Sequence, residues 1–342
     1  EDSLLFLVVD QLERGSCHLV SLEDRAKAAE LAFRAGKLSM KKSSFQTSKA
    51  YLRTAMEWLR QELGMEWVTH YSLTLQVFST AAEAEYAVGQ FSASRKLVEE
   101  ILKHSRSLSD KMRAYYTMVV SLGARGRLEE AIQVSVSVLK LLGERFPKTS
   151  KLAHVLWEYA RTRQALRRMS DDDILGLQRM KNESKLHAME LMSMSSDSSR
   201  LLASRGEKGF HFITMGLRMV RLTLKYGLSK MSGHGFAGMA EFASMLGNSK
   251  DATRFGRLAL KLGKLFPDAK AAEARCQSVL YHSVMHWSIP IEDHCAAFRN
   301  IYVVGMGVGE LHVAYMGFAG FMVVLLAAGR PFGEIDKHYS AS

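Results

Sequence analysis

A chain of 342 residues, 47% of them hydrophobic, has apolar material for a sizeable core and exceeds one ordinary domain unless its architecture is elongated. Its formal charge of +11 is carried by 46 Lys and Arg against 35 Asp and Glu. Three cysteines, Cys17, Cys276 and Cys295, are odd in number and far apart, which excludes a disulfide framework and predicts a reducing, cytoplasmic setting.

Only four prolines occur, at positions 147, 267, 290 and 331. Ala, Leu, Met, Lys, Arg and Glu recur at three- and four-residue spacing, and no stretch alternates convincingly, so the chain is predicted to be all-α. No secretory signal pattern opens it. It starts at Glu1 without Met and stops at "HYSAS", so it is expected to be a piece of a longer protein.

In chain order, Ser3 to Gly15 predicts an amphipathic helix closed by Gly15 in a left-handed C′ position. Ser21, with Asp24 three places on, signals the cap of the next helix, and Tyr51, Ala55, Trp58 and Leu59 share a face of the one after. A pattern then repeats. Gly89, Gly126 and Gly247 are each followed at plus five by a small residue (Ser94, Ala131, Ala252) and at plus twelve by an apolar one (Ile101, Val138, Ala259). The small residue lets the second helix of a pair approach the first, and the glycine turns the chain between them. Gly126 and Gly247 lie about three 40-residue periods apart, and steps of about 41 from Gly247 reach Ser288 and Gly329. In "RFGRLALKLGKLFPD", Phe255, Leu258, Ala259 and Leu262 are predicted to pack inward with the Arg and Lys outside.

Between the halves the rhythm breaks in two polar stretches, Arg167–Lys185 and the Ser-rich Ser193–Gly209. The expected organisation is a repeat stack over 1–166, a polar connector or insertion over 167–209 with a short helix around Ile174, and a second stack over 210–342, or one continuous array. The uncharged run Leu311–Ala328 just reaches membrane-spanning length, but His312, Gly317 and Gly320 favour a buried repeat helix.

The glycine-centred spacing resembles a degenerate tetratricopeptide repeat. Taken in order, "DQLERG", "AYLRTAMEWL", "AEAEYAVGQF", "GRLEEAI", "LWEYARTRQAL", "LRMVRLTLKYG" and "RFGRLALKL" are similar to the helical region that follows the nucleotide-binding module in large AAA/STAND-type signalling ATPases. The resemblance runs from about Asp10 to Ile335. It implies a right-handed α-solenoid that relays or gates between modules. The neighbouring modules would be an ATPase that binds ATP, a serine/threonine kinase, and a GAF and histidine-kinase unit. The middle stretch lacks the prolines associated with this connector.

No catalytic constellation emerges. "GERFPKTS" has Lys148 where a phosphate loop needs its second glycine, and it is read as a helix end. "GMGVGE", Gly305–Glu310, follows no strand and is assigned to tight helix packing. His282 and His286 lie four apart, but a zinc site would need Cys276, Cys295 or His294 to arrive by folding; they are read as ordinary partly buried histidines. "SDDD" is read as a helix start capped by Ser170. No nucleophile motif groups Ser, His and Asp. The chain itself is therefore expected to be non-catalytic, with neither cofactor nor metal.

Charge is more informative. Between Arg200 and Arg275 stand 14 Lys or Arg against 5 Asp or Glu. Arg218, Arg221 and Lys225 share one helix face, and Arg254, Arg257, Lys261 and Lys264 another. If neighbouring helices align them, they form a basic stripe for an acidic or phosphorylated protein segment. The other reading is a solvated face that keeps the array soluble. Nucleic acid is disfavoured because no aromatics interleave. Trp58, Trp67, Trp157 and Trp287, with 19 Met, are mostly core, or they line a groove for a helix or apolar ligand. Two functions stay open: a relay segment of a signalling ATPase or kinase, and a free-standing adaptor that binds an acidic partner.

Overall fold

The computed structural model describes residues 2–60, 64–147, 150–206 and 209–340. It is all-α. Among the described residues there is no strand, and a single parallel bridge pairs Arg179 with Leu228. The helices group into two compact units, Glu1–Ser121 and Leu122–Ser342.

The first unit holds α1 (Asp2–Arg14), α2 (Leu22–Lys41), α3 (Phe45–Leu59), the single turn α4 (Glu66–Thr69), α5 (Tyr71–Ala87), α6 (Phe91–His104) and most of α7 (Leu108–Ala124). Helices pack in chain order: α1 on α2, α2 on α3, α3 on α5, α5 on α6. The Ser21 hydroxyl accepts from the Asp24 amide at 3.0 Å, the cap the sequence predicts. Ala55, Trp58 and Leu59 are buried in a core with Phe78 and Ile101. One expectation fails: Gly15 ends α1 with φ −94°, outside the left-handed region, because the chain continues into a 3-10 turn, Ser16–His18, in place of reversing.

The repeat turn is real and wider than its glycines. Gly89, Gly126, Gly247 and Gly329 all have φ between +68° and +77°. At each, the next residue's amide returns to a carbonyl five residues back, as in Gln90 to Glu85 (2.8 Å) and Asn248 to Ala243 (2.9 Å), which satisfies the orphaned carbonyls of the helix end. Ser43 adopts the same conformation, φ +56°, with the Ser44 amide on the Ser39 carbonyl at 2.9 Å. Five residues beyond these turns, Ser48 and Ser94 are buried. Each hydroxyl donates across the pair to the facing helix, to the Gly36 and Ala82 carbonyls respectively, both at 2.8 Å. Where the small plus-five residue is a serine, the close approach is secured by a hydrogen bond.

The second unit contains α8 (Leu128–Leu141), α9 (Leu152–Leu166), α10 (Asp171–Leu175), α11 (Glu183–Ser204), α12 (His211–Tyr226), α13 (Ser232–Met245), α14 (Ser249–Lys264), α15 (Lys270–Ser283), α16 (Ile291–Gly307), α17 (Leu311–Ala327) and α18 (Phe332–Ser340). Here α8 packs on α11, and the stack continues through α12, α13, α14, α15, α16 and α17, while α9 lies against α12. The inserted piece is therefore α9, α10 and the loop to Met180, and the expected 167–209 connector needs correction. The α10 helix is the predicted short one, with the Ser170 and Asp173 side chains forming a reciprocal capping box. Glu183–Ser204, in contrast, is the 22-residue helix α11, a member of the stack. Its Ser193, Ser195, Ser196 and Ser199 are all at most 3% exposed. They can be buried because each finds a partner: Ser193 bonds the His234 ring, Ser195 bonds back to Leu191, Ser196 to Ser193, and Ser199 accepts from the Phe212 amide.

Phe255, Leu258, Ala259 and Leu262 of α14 are each at most 3% exposed, as their spacing predicts. Each buried Phe or Leu contributes roughly 1.5–3 kcal/mol. The uncharged α17 packs on α16, with Gly305 so close to Ala314 that a Cβ there would lie 2.7 Å from its amide nitrogen. Among the described residues no helix is long and apolar enough to cross a membrane. Lys148 and Thr149 of "GERFPKTS" lie outside the described residues, while Gly143 ends α8 with φ +80°.

Candidate interaction groove and its ionic floor

The basic stripe does not form. Arg218 and Arg221 of α12 face inward, with side chains 21% and 14% exposed. Arg218 donates to Glu144 at 2.7 Å and to Glu158 at 3.2 Å; Arg221 pairs with Glu158 and donates to the Thr162 hydroxyl at 2.8 Å. Lys185 completes the network on Glu144 at 2.7 Å. Glu158 is 3% exposed, so these charges hold α9 and the α8–α9 connection onto α11 and α12. Arg254 is exposed but bonds Asp171 of α10 at 2.7 Å. Both α12 and α14 pack against α13. Lys225, whose ammonium lies 5.0 Å from the Tyr226 ring, and Arg257, Lys261 and Lys264 remain exposed, with no ion pair among the described residues.

A different set of side chains converges on the face built by α11, α13 and α15. Arg200 of α11 holds Glu241 of α13 with two bonds, 3.0 and 2.9 Å, and Asp197 with a third at 3.2 Å. Arg275 of α15, 4% exposed, bonds the other Asp197 oxygen at 2.9 Å and also pairs with Glu310 at the start of α17. Ser283 adds a bond to Glu241 at 3.1 Å. Burial works to raise the Asp197 carboxyl, but the surrounding positive charge, that of Arg275 first, holds it below the ordinary Asp range. His234, fully enclosed beside Ser193 (2.5 Å), is pushed down to about 4 by that burial and stays neutral at pH 7.

Arg275 divides two openings. On one side is a cavity of about 190 Å³ bordered by Asp197, Arg200, His282 and His312. On the other is a groove of about 620 Å³ running from Glu190 and Met194 of α11, past Lys230, to the Leu265–Ala272 turn and Glu310. Arg179 stacks on Phe266 at 3.6 Å and donates to the Leu265 carbonyl at 2.6 Å, fixing that wall. Lys230 is paired with Glu190 at 2.9 Å, and exposed Lys270 has no ion pair among the described residues. The first turn of α15 forms part of the groove with no side-chain cap, so its positive dipole end adds to Lys270.

The sequence reading missed Asp197, Arg200, Glu241, Arg275 and Glu310, because no two helices of the network are adjacent in the chain. The usable signal was the repeat itself. Arg200–Glu241, Ser193–His234 and Lys230–Glu190 are 41, 41 and 40 residues apart, one repeat each.

The other candidates are scattered. His282 bonds the Ser278 carbonyl at 2.8 Å and packs on Phe298; among the described residues no group of His, Cys, Asp or Glu is arranged to hold a metal ion. Trp58 and Trp67 are core residues of the first unit, Trp157 is exposed on α9, and the Trp287 side chain lies outside the described residues. Comparison with protein-family models finds no match, and comparison with curated proteins finds none either.

Proposed function

We propose that this chain is a helical-repeat interaction module that receives an acidic segment of a protein partner in the groove over α11, α13 and α15. The observation that carries this reading is the groove itself: about 620 Å³, open, with a floor locked by the Asp197–Arg275–Glu310 pairs and a rim carrying Lys270 beside an uncapped helix start. A preorganised charged floor limits the ordering cost of binding and sets register by electrostatic complementarity. The resemblance to the helical region of signalling ATPases extends the proposal to a relay, with catalysis in neighbouring modules, and the adaptor reading uses the same groove.

The test is site-specific photo-crosslinking in cells, with the photoreactive residue at Met194 in the groove or at Lys261 on the outer face of α14. The expected result is a discrete adduct from Met194 that is lost on adding Lys270→Glu. An adduct formed from Lys261 and not from Met194 would return the partner to the outer basic face and reject the groove.

A further inference from the structure

We propose that the outer face of α17 is the contact between two copies of this chain, paired antiparallel about a two-fold axis through Ala319. The inference goes beyond the groove and does not depend on it. Among the described α-helices, α17 is the one without an Asp, Glu, Lys or Arg. The fold uses only one side of it. Gly317 and Gly320 are buried, each so close to α16 that a Cβ would meet Ile301, Tyr302 or Phe298. On the other side Tyr315, Val323 and Leu326 are 67%, 63% and 50% exposed, although α15 and α18 also touch the helix. A continuous exposed apolar face of this kind marks a contact surface.

Charge and spacing together point to its occupant. A partner that set Asp, Glu, Lys or Arg against this face would lose their hydration with no counter-charge in return. The occupant is therefore an uncharged apolar face of helix length, and among the described helices α17 itself is one. Its spacing is also self-complementary. Counting from Ala319, His312, Tyr315 and Met316 stand at minus seven, minus four and minus three, and Met322, Val323 and Leu326 at plus three, plus four and plus seven. Positions three, four and seven apart share one face of a helix. About a two-fold axis at Ala319, Tyr315 meets Val323 of the second copy and Val323 meets its Tyr315, the reciprocal contact that an isologous interface requires. Ala319, at the axis, is small enough for the two backbones to approach. The helix has 17 residues. At a rise of about 1.5 Å per residue its face covers on the order of 500 Å² in each copy, about 1,000 Å² in all, where specific interfaces begin. The dimer is thus of roughly micromolar affinity.

Sedimentation equilibrium of the purified chain at pH 8 tests this. The mass is expected to rise from 38.3 kDa toward twice that value over the micromolar range. Ala319→Glu sets two like charges face to face at the axis and is expected to weaken the dimer more than about tenfold. Tyr315→Glu and Val323→Lys are each expected to weaken it about tenfold, and the two together to restore it, because the opposite charges meet across the axis. They stand eight residues apart on their own helix, too far to pair within one copy. Circular dichroism checks that each variant keeps its helices, and Leu326→Glu, at a half-exposed position, replaces Ala319→Glu if that variant does not fold. The proposal is overturned if the chain stays monomeric at about 100 times the expected micromolar constant. Co-sedimentation of that monomer with phosphatidylcholine vesicles would assign the face to a membrane in its place. A dimer that Ala319→Glu leaves intact, or a double variant that associates no better than the singles, also overturns it.

Discussion

Helices α12 and α14 carry the same kind of basic face and put it to opposite uses. Arg218 and Arg221 are three apart on α12, as Arg254 and Arg257 are on α14. On α12 the arginines meet Glu144 and Glu158, which arrive on an inserted helix and its connection, and they become part of the scaffold. On α14, among the described residues, Arg254 alone of the four is ion-paired, by Asp171 of the same insertion, and Arg257, Lys261 and Lys264 stay in solvent. Charge spacing on a helix thus fixes which residues share a face. Whether that face is interior depends on a segment elsewhere in the chain.

The strongest way to break the contrast is to remove the shared acid. Glu158→Ala leaves Arg221 without its counter-charge in a partly buried site, takes one of the two acids from Arg218, and is expected to cost about 3–5 kcal/mol in chemical denaturation. A loss below 1 kcal/mol would mean that the α12 pairs are as dispensable as surface ones.

His234, beside the second network, sharpens the contrast through pH. Its folded pKa of about 4 lies below the unfolded value near 6.5, so between these the unfolded chain binds more protons. Stability is complete above pH 6.5, falls by roughly 3 kcal/mol as pH drops toward 4, and levels off below. In His234→Leu the slope over that window is expected to flatten, and an unchanged slope would contradict the burial of a neutral ring.

Gly227 is where the insertion's exit segment crosses the end of α12. Its φ is +102°, and a Cβ would lie 2.2 Å from the Gln178 carbonyl oxygen. Gly227→Ala is expected to cost about 2 kcal/mol, read as a lowered thermal midpoint. A smaller effect, about 1 kcal/mol, is expected for Ser94→Ala in the first unit, which removes the hydroxyl bond to Ala82 without touching any charge.

The fold was legible where a local rule sufficed. Turn glycines at Gly89, Gly126 and Gly247, the caps at Ser21 and Ser170, and the inward face of α14 all follow from residues within one or two helical turns. Two kinds of feature were hidden. Ser43 performs the glycine's role at positive φ, so the first repeat lacked its marker. The serines of α11 look like linker, yet they satisfy their hydroxyls on nearby groups and let neighbouring helices approach closely. The candidate groove was hidden for a third reason: its ionic floor joins residues about one or two repeats apart, a separation that helix-face reasoning does not sample.

The most direct test measures unfolding free energies of two double variants side by side, Arg218→Ala with Arg221→Ala and Arg257→Ala with Lys261→Ala. The α12 pair is expected to lose several kcal/mol because Glu158 is left buried without a counter-charge, and the α14 pair is expected to stay within about 0.5 kcal/mol of the native chain. Equal losses, or a larger loss from the α14 pair, would show that the arginines of α12 do not hold the insertion in place and would reopen the basic face as a binding surface.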